Sequence, residues 1–270
     1  MAKDNKKNRF YFNKDFLGSP QGRSIRILSE YYGPLQKINE NKIYDTIVFF
    51  GSARIKSREK AEIALKQLTK SVSNKEKKRI QKDLEMSRFY EDARELANRL
   101  TIWSKNLKSK KSRYIITSGG GGGIMEATNR GAKEAGGISM GLTISLPFEA
   151  SSNIYISDDL DLKFHYFFMR KFWFIYLAKA LVVWPGGFGT LDELMELLTL
   201  IQTKKIKKRL PIVLYGTEFW NSVVNWDYLI ECGTISEEDL KLFFISDSVE
   251  DAYNYIVRFI EEYKLKGPNF

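Results

Sequence analysis

The chain has 270 residues, a hydrophobic share of 43%, an aromatic share of 14% and a formal charge of +10, enough for one large α/β domain or two small ones. Its single cysteine, Cys232, excludes an intrachain disulfide, and its single histidine, His165, leaves multi-histidine metal sites and Cys–His nucleophile pairs poorly supplied. No apolar run is long enough to span a bilayer, and Met1-Ala2-Lys3-Asp4-Asn5-Lys6-Lys7 has no apolar segment behind it, so neither a membrane span nor a signal peptide is expected, and a reducing, cytoplasmic setting is.

The positive charge falls in blocks, Lys3 to Lys7, Lys75 to Lys82, Lys105 to Lys111 and Lys204 to Arg209. Such blocks attract polyanions. Without interleaved aromatics they read as solvated surface, and nucleic acid is not expected as the main partner.

Residues 1–18 read as a polar tail. Ser19-Pro20 reads as the cap and first turn of a helix over Arg23 to Tyr32, with Ile25, Ile27, Leu28, Tyr31 and Leu35 on its apolar face and Gly33-Pro34 as its break. Tyr44 to Phe50 is β-branched and aromatic, a first core strand that runs into Gly51-Ser52-Ala53-Arg54. Arg54 there either reaches a ligand phosphate or is a solvated loop arginine. Residues 57–107 are rich in Lys, Glu, Leu and Ala without proline, which predicts two helices, broken near Ser71 to Asn74, the second over roughly 76–107.

Arg113 to Thr117 is a second strand, running through Ser118 into five glycines, Gly119 to Gly123, with a helix from Ile124 that stops at Gly136-Gly137. Ile138 to Leu146 is a third strand, and Glu149 just beyond it either points into a ligand crevice or is a solvated carboxylate. Residues 151–163 read as polar and irregular. Phe164 to Phe174 is dense in aromatics and, if helical through Ala180, would be buried over most of its surface; Arg170-Lys171 within it calls for an anion at a helix end or for snorkelling to the surface.

Ala180 to Trp184 is a buried strand, followed by Pro185-Gly186-Gly187-Phe188-Gly189-Thr190 and a helix over Leu191 to Gln202 with Leu194, Leu197, Leu198 and Ile201 on one face. Free backbone N–H groups and the helix dipole meet at such a junction, which suits a phosphate. Glu193 is expected in the first helical turn beside it, either as a capping residue or facing the substrate. Pro211 to Tyr215 is a further strand, Phe219 to Leu229 a helix packed on the sheet, Cys232 to Ser236 a loop and cap, Phe243 to Ser246 a last strand and Ser248 to Tyr263 the closing helix. This alternation predicts a doubly wound parallel sheet, whose ligands bind at the carboxyl ends of the strands, so both glycine turns would face one crevice.

Pro185 to Glu193 resembles the PGGxGTxxE motif of the Lonely Guy (LOG) family, whose members are often labelled lysine decarboxylases. Gly119 to Met125 resembles the family's GGGxxGxM segment, and Met169-Arg170-Lys171 its methionine–arginine–lysine segment. The resemblance covers roughly residues 44–260, and the two ends are similar to the longer bacterial branch. It implies a single-domain α/β fold, a Rossmann-like doubly wound parallel sheet flanked by helices. The division expected is 1–43 as N-terminal tail and helix, 44–263 as the LOG domain with 57–107 as a helical insertion, and 264–270 as C-terminal tail.

The resemblance implies a phosphoribohydrolase, similar to an AMP nucleosidase, that cleaves the N-glycosidic bond of a nucleoside 5′-monophosphate to free base and ribose 5-phosphate. Members that activate cytokinins act on N6-prenylated adenine nucleotides. It implies Arg170 and Glu193 as the essential pair, and puts Lys171, Gly187, Phe188, Gly189, Thr190, Asp192, Thr199 and Glu149 around the nucleotide. The three strand-end loops add Gly51, Ser52, Gly119, Gly120, Gly121 and Gly186. Neither a metal nor a cofactor is expected, and a homodimer or higher homo-oligomer is. The chain departs from the family's common pattern at Asp192, where many members have Glu, and at Gly122, where many have Pro. The competing readings are a non-catalytic nucleotide or molybdenum-cofactor carrier, a PLP-dependent decarboxylase, for which no lysine stands out, and a basic RNA-binding protein.

Overall fold

The computed structural model describes residues 9–68, 73–107, 114–145, 152–207, 209–263 and 268–269. In chain order, helices Lys14–Gly18 (α1) and Arg23–Glu40 (α2) precede strand Thr46–Phe50 (β1). Helices Arg58–Lys66 (α3) and Asn74–Asn106 (α4) lead to Ile115–Ser118 (β2), and Ile124–Glu134 (α5) leads to Ser139–Ile144 (β3). Then come Asp161–Phe164 (β4), Phe167–Tyr176 (α6), Ala178–Val183 (β5), Phe188–Gln202 (α7) and Ile212–Tyr215 (β6). Thr217–Val223 (α8), Trp226–Glu231 (α9), Phe244–Ser246 (β7) and Val249–Tyr263 (α10) complete the chain.

The seven strands form one parallel sheet in the order β4-β3-β2-β1-β5-β6-β7. β1 and β5 are buried at every position, as strands covered on both faces must be. From β1 the chain steps outward to β4, then returns to β5 and steps outward the other way. Right-handed crossovers then put helices on both faces, and the reversal opens a crevice at the carboxyl ends of β1 and β5. This is the Rossmann-like architecture that the strand–helix alternation predicts. Among the described residues no helix is long and apolar enough to cross a membrane.

α4 spans about 50 Å at 1.5 Å per residue. Ser73 caps it by accepting from Glu76 N–H, and its buried residues all fall between Ser87 and Thr101, packed on α5 and the sheet. The stretch before Ser87, with Lys75, Lys77, Lys78, Arg79 and Lys82, has none.

Several elements depart from the sequence expectation. Within 9–18 the expected tail contains a 3-10 turn at Phe10–Phe12 and α1. α2 starts after Gly22 and runs straight through Gly33-Pro34 to Glu40. Pro34 removes the N–H that would serve the carbonyl of Glu30, and that carbonyl accepts instead from the Trp173 indole N–H at 3.0 Å, so the helix keeps its bond count. The region read as irregular holds β4, an edge strand with Leu162 and Phe164 inward and Lys163 outward.

α6 ends at Tyr176, not at Ala180, because the chain turns at Leu177 straight into β5, and Phe167 and Phe168 in its first turn are each 51% exposed. The single helix expected over 219–229 is two, divided at extended Val224, with Asn225 capping α9 by accepting from Tyr228 N–H. In the expected C-terminal tail Asn269 is buried, its amide donating to the carbonyls of Ile175 and Ala178. Lys3 to Lys7, Lys108 to Lys111 and Lys208 lie outside the described residues.

Candidate active site

Parallel register brings three strand ends level, with Phe49 beside Ser118 of β2 and Val182 of β5. Backbone bonds then lace the turns that follow. Trp184 N–H donates to Phe50 O at 2.8 Å, Ser52 N–H to Pro185 O at 3.1 Å, and Ile124 N–H to Ser52 O at 3.1 Å. Between these turns and the start of α6 lies a cavity of about 710 Å³.

One wall is the start of α7. The helix begins three residues earlier than expected, with Gly187 as its cap and Leu191 N–H to Gly187 O as its first turn bond. The amides of Phe188, Gly189 and Thr190 therefore sit at the positive end of the helix dipole and line the cavity. The earlier start moves Glu193 from the first turn into the second, so it is not a capping residue. Its side chain lines the cavity but is only 7% exposed, and its Oε2 has no hydrogen-bond partner among the described residues.

Burial raises the Glu193 carboxyl to about 7. The cations of Arg170 and Lys171 pull it down, while Glu196 and Asp192 push it further up. A carboxyl so tuned is close to half ionised at neutral pH, which suits proton transfer.

The opposite wall is α6 and the turn after β2. Arg170 lines the cavity, its guanidinium 5.2 Å from the Phe174 ring centre. It comes close against Gly119, where a Cβ would stand 2.8 Å from Nη2 and 2.6 Å from Met125 Sδ. Any side chain at Gly119 thus competes with the arginine. α6 is itself held from outside by α2. Glu30 accepts from His165 N–H at 2.7 Å and Tyr166 N–H at 3.1 Å, satisfying donors at the helix entry, and Tyr31 packs on Phe172 and Trp173.

Of the residues singled out in the sequence, Gly51, Ser52, Gly119, Arg170, Gly187, Phe188, Gly189, Thr190, Asp192 and Glu193 line this one cavity. Arg54, read as either ligand-facing or solvated, lines it too. Gly120 and Gly121 lie behind the wall, their carbonyls turned to Asn153, and Gly186 lies behind the turn against Thr190. Lys171 is next to the site but its ammonium is held by Asp192 at 2.7 Å and Glu196 at 2.9 Å. Burial works to lower its pKa, and these two hydrogen-bonded carboxylates outweigh that and raise it.

Thr199, six residues beyond Glu193 on α7, is exposed and donates back to Met195 O, away from the cavity. Glu149 lies outside the described residues.

Sequence reasoning missed the apolar side of the cavity: Met125, Ile144, Phe167 and the strand-end residues Phe49 and Phe50. The one available signal was position, since each sits at a strand end or a helix start beside a turn already singled out.

Fold and site together define a Rossmann-like α/β protein with an anion-ready helix start and a buried carboxylate at the sheet's switch point. Residues 125–256 match the model of the family described as "Possible lysine decarboxylase", the LOG-type domain that the glycine-rich motif resembles. No curated protein sequence is significantly similar to the chain. Among solved structures it is similar to the X-ray structure of TM1055, at 20% identity and TM-score 0.46, covering 81% of this chain and 99% of that one. It is also similar to the molybdenum cofactor carrier protein of Chlamydomonas reinhardtii, at 17% identity and TM-score 0.44, covering 81% and 98%. A third is the molybdenum cofactor binding protein of the phototrophic bacterium Rippkaea orientalis, at 16% identity and TM-score 0.43, covering 82% and 98%.

Proposed function

We propose that the protein hydrolyses the N-glycosidic bond of a nucleoside 5′-monophosphate, AMP or an N6-modified AMP, to free base and ribose 5-phosphate. The observation that carries this is Glu193, a buried carboxyl with one unpartnered oxygen, in the same cavity as the free amides at the start of α7 and the guanidinium of Arg170. The reading draws support from the match of residues 125–256 to the model of that family.

The 5′-phosphate docks on the amides of Phe188, Gly189 and Thr190, where dipole and N–H groups favour an anion. Its binding energy positions the ribose beside Glu193. As the bond from C1′ to the base nitrogen lengthens, positive charge grows on the ribosyl ring, and the ionised Glu193 stabilises it. Water supplies the oxygen that bonds to C1′. Glu193 takes the proton released by that water, and the base leaves with the electron pair of the broken bond and picks up a proton. Arg170 keeps a share of Glu193 ionised at neutral pH and faces the nucleotide. The apolar side formed by Met125, Ile144 and Phe167 receives the base.

The test is incubation of the purified protein with a panel of nucleoside 5′-monophosphates, including AMP and N6-prenyl AMP, with free base and ribose 5-phosphate as readout. Release by the wild type, and its loss in Glu193→Ala and Arg170→Ala, is the expected result. Binding of nucleotides without turnover of any of them sinks the reading in favour of a carrier.

A further inference from the structure

Residues 152–157 pack against the Gly119–Gly123 turn, and Asn153 is the point of attachment. Its backbone N–H donates to Gly120 O at 2.9 Å. Its side-chain amide donates to Gly120 O, Gly121 O and Asn129 Oδ1, each at 3.0 Å, and its own Oδ1 accepts from Tyr155 N–H at 3.1 Å. Asn129 Oδ1 also accepts from Ser118 Oγ at 2.7 Å, so the end of β2, the middle of α5 and the glycine turn are joined through Asn129 and Asn153. The segment is itself anchored. Ser152 Oγ donates to Asp161 at 2.7 Å, Ser157 Oγ accepts from Ser139 N–H at 2.9 Å, and Ile154 O accepts from Lys133 at 3.1 Å.

A run of glycines has no side chains of its own to fix its shape, and Gly120 has φ +74°, open to few other residues. The shape must come from outside. Because each peptide is planar and trans, holding the carbonyls of Gly120 and Gly121 toward Asn153 turns the N–H groups of Gly121 and Gly122 the other way. The residue that opens this turn, Gly119, is the surface on which the guanidinium of Arg170 lies.

We infer that Asn153 is a positioning residue: it holds the Gly119–Gly123 turn and through Gly119 sets where the Arg170 guanidinium stands in the cavity. The inference rests on the reading of Arg170 and Glu193 as the reacting pair. Asn153 does not touch the cavity and acts only through the turn.

The experiment follows the Glu193 carboxyl directly, by carbon NMR of protein labelled at the glutamate carboxyl carbon, with Glu193→Gln assigning the signal. The charged groups that act most on Glu193 are Arg170, Lys171, Glu196 and Asp192, with Arg54 across the same cavity, and Arg170 is the largest of those that lower it. Asn153→Ala releases Arg170, so the Glu193 midpoint is expected to rise by about half a pH unit or more. With it, kcat for base release falls about tenfold while KM stays within about threefold.

A purely structural role lowers the thermal midpoint but leaves the Glu193 titration of the folded protein where it was; that result overturns the inference. Asn153→Ser, which keeps a donor, carries the same measurement if Asn153→Ala does not fold. Failure of both to fold also overturns it, by making Asn153 a folding residue. A wild type that releases no base overturns the proposed reaction alone, and the carboxyl titration then judges Asn153 by itself.

Discussion

Two glycine turns flank the cavity, and they do opposite things. The turn before α7 presents its backbone to the cavity, with no partner for the amides of Phe188 to Thr190 among the described residues and open space around Gly187 and Gly189. The Gly119–Gly123 turn spends its carbonyls on Asn153, and at Gly119 the missing side chain is what gives Arg170 its seat. On the proposed reading one turn is a ligand surface, the other a mount for a side chain. Glycine content alone does not distinguish them. The difference lies in whether the turn opens on the N-terminus of a helix at the switch point or packs against another segment of the chain.

The largest expected effect comes from the carboxyl that stands between the two turns. Glu193→Gln is expected to lower kcat about a thousandfold. In the wild type, turnover falls as pH drops through about 7, because the ionised carboxylate is the working form. The same variant gains stability. The folded carboxyl binds its proton more tightly than the unfolded one, whose ordinary value is 4.5. Its contribution therefore favours folding fully below about pH 4.5, and is lost as pH rises through about 7. Above pH 7 the buried carboxylate costs about 3 kcal/mol, and glutamine removes that cost. Thermal unfolding of both proteins at pH 5 and pH 8 checks the sign. A variant no more stable than wild type at pH 8 would contradict the burial argument.

Gly119→Ala tests the second turn as a mount. Its Cβ meets Met125 Sδ and Arg170 Nη2, both on flexible side chains, so the fold survives at a cost of about 1 kcal/mol. Base release is expected to fall about ten- to a hundredfold, because a small misplacement of a reacting group is costly. Wild-type kcat/KM in this variant would break the comparison.

Lys171→Met removes the cation between Asp192 and Glu196, and with it one of the two charges that lower Glu193. The acid limb of the pH–rate profile is expected to shift upward, with turnover at pH 7 reduced about two- to fivefold. An unmoved limb would mean that Asp192 and Glu196 screen Lys171 from Glu193 entirely.

Gly187→Ala should have the smallest effect on the protein and the clearest meaning for the ligand. Nothing lies within 4 Å of a Cβ there. Stability should stay within about 0.5 kcal/mol of wild type, while KM for the nucleotide rises and KM for the matching nucleoside, lacking the phosphate, does not. A loss of stability matching that of Gly119→Ala would make the two turns alike.

The reading of the sequence succeeded where the signal was local. β1, β2, β5, β6 and β7 are short apolar runs closed by turn residues, and each turn before α5 and α7 is a glycine run at a strand end. It failed where a partner far along the chain decided the outcome. Gly33-Pro34 is a strong helix break, and it does not break α2, because Trp173 serves the carbonyl that Pro34 leaves behind. β4 carries only four residues with a charged outer side, and pairs as an edge strand because β3 is there to receive it. Lys171 and Thr199 were drawn from the resemblance; in the fold the first is paired with two carboxylates and the second donates back along its own helix.

Residue order and type were therefore enough for the alternation of strands and helices and the positions of both glycine turns, which follow from periodicity and backbone freedom acting over a few neighbours. The choice of Arg170 and Glu193 as the pair to examine came from the resemblance to the LOG family. The burial that lifts Glu193 to about 7, the seat of Arg170 on Gly119 and the hold of Asn153 on the turn are properties of the folded chain. Each depends on groups brought together from distant positions, because desolvation, charge proximity and hydrogen-bond partnership are set by distance in space.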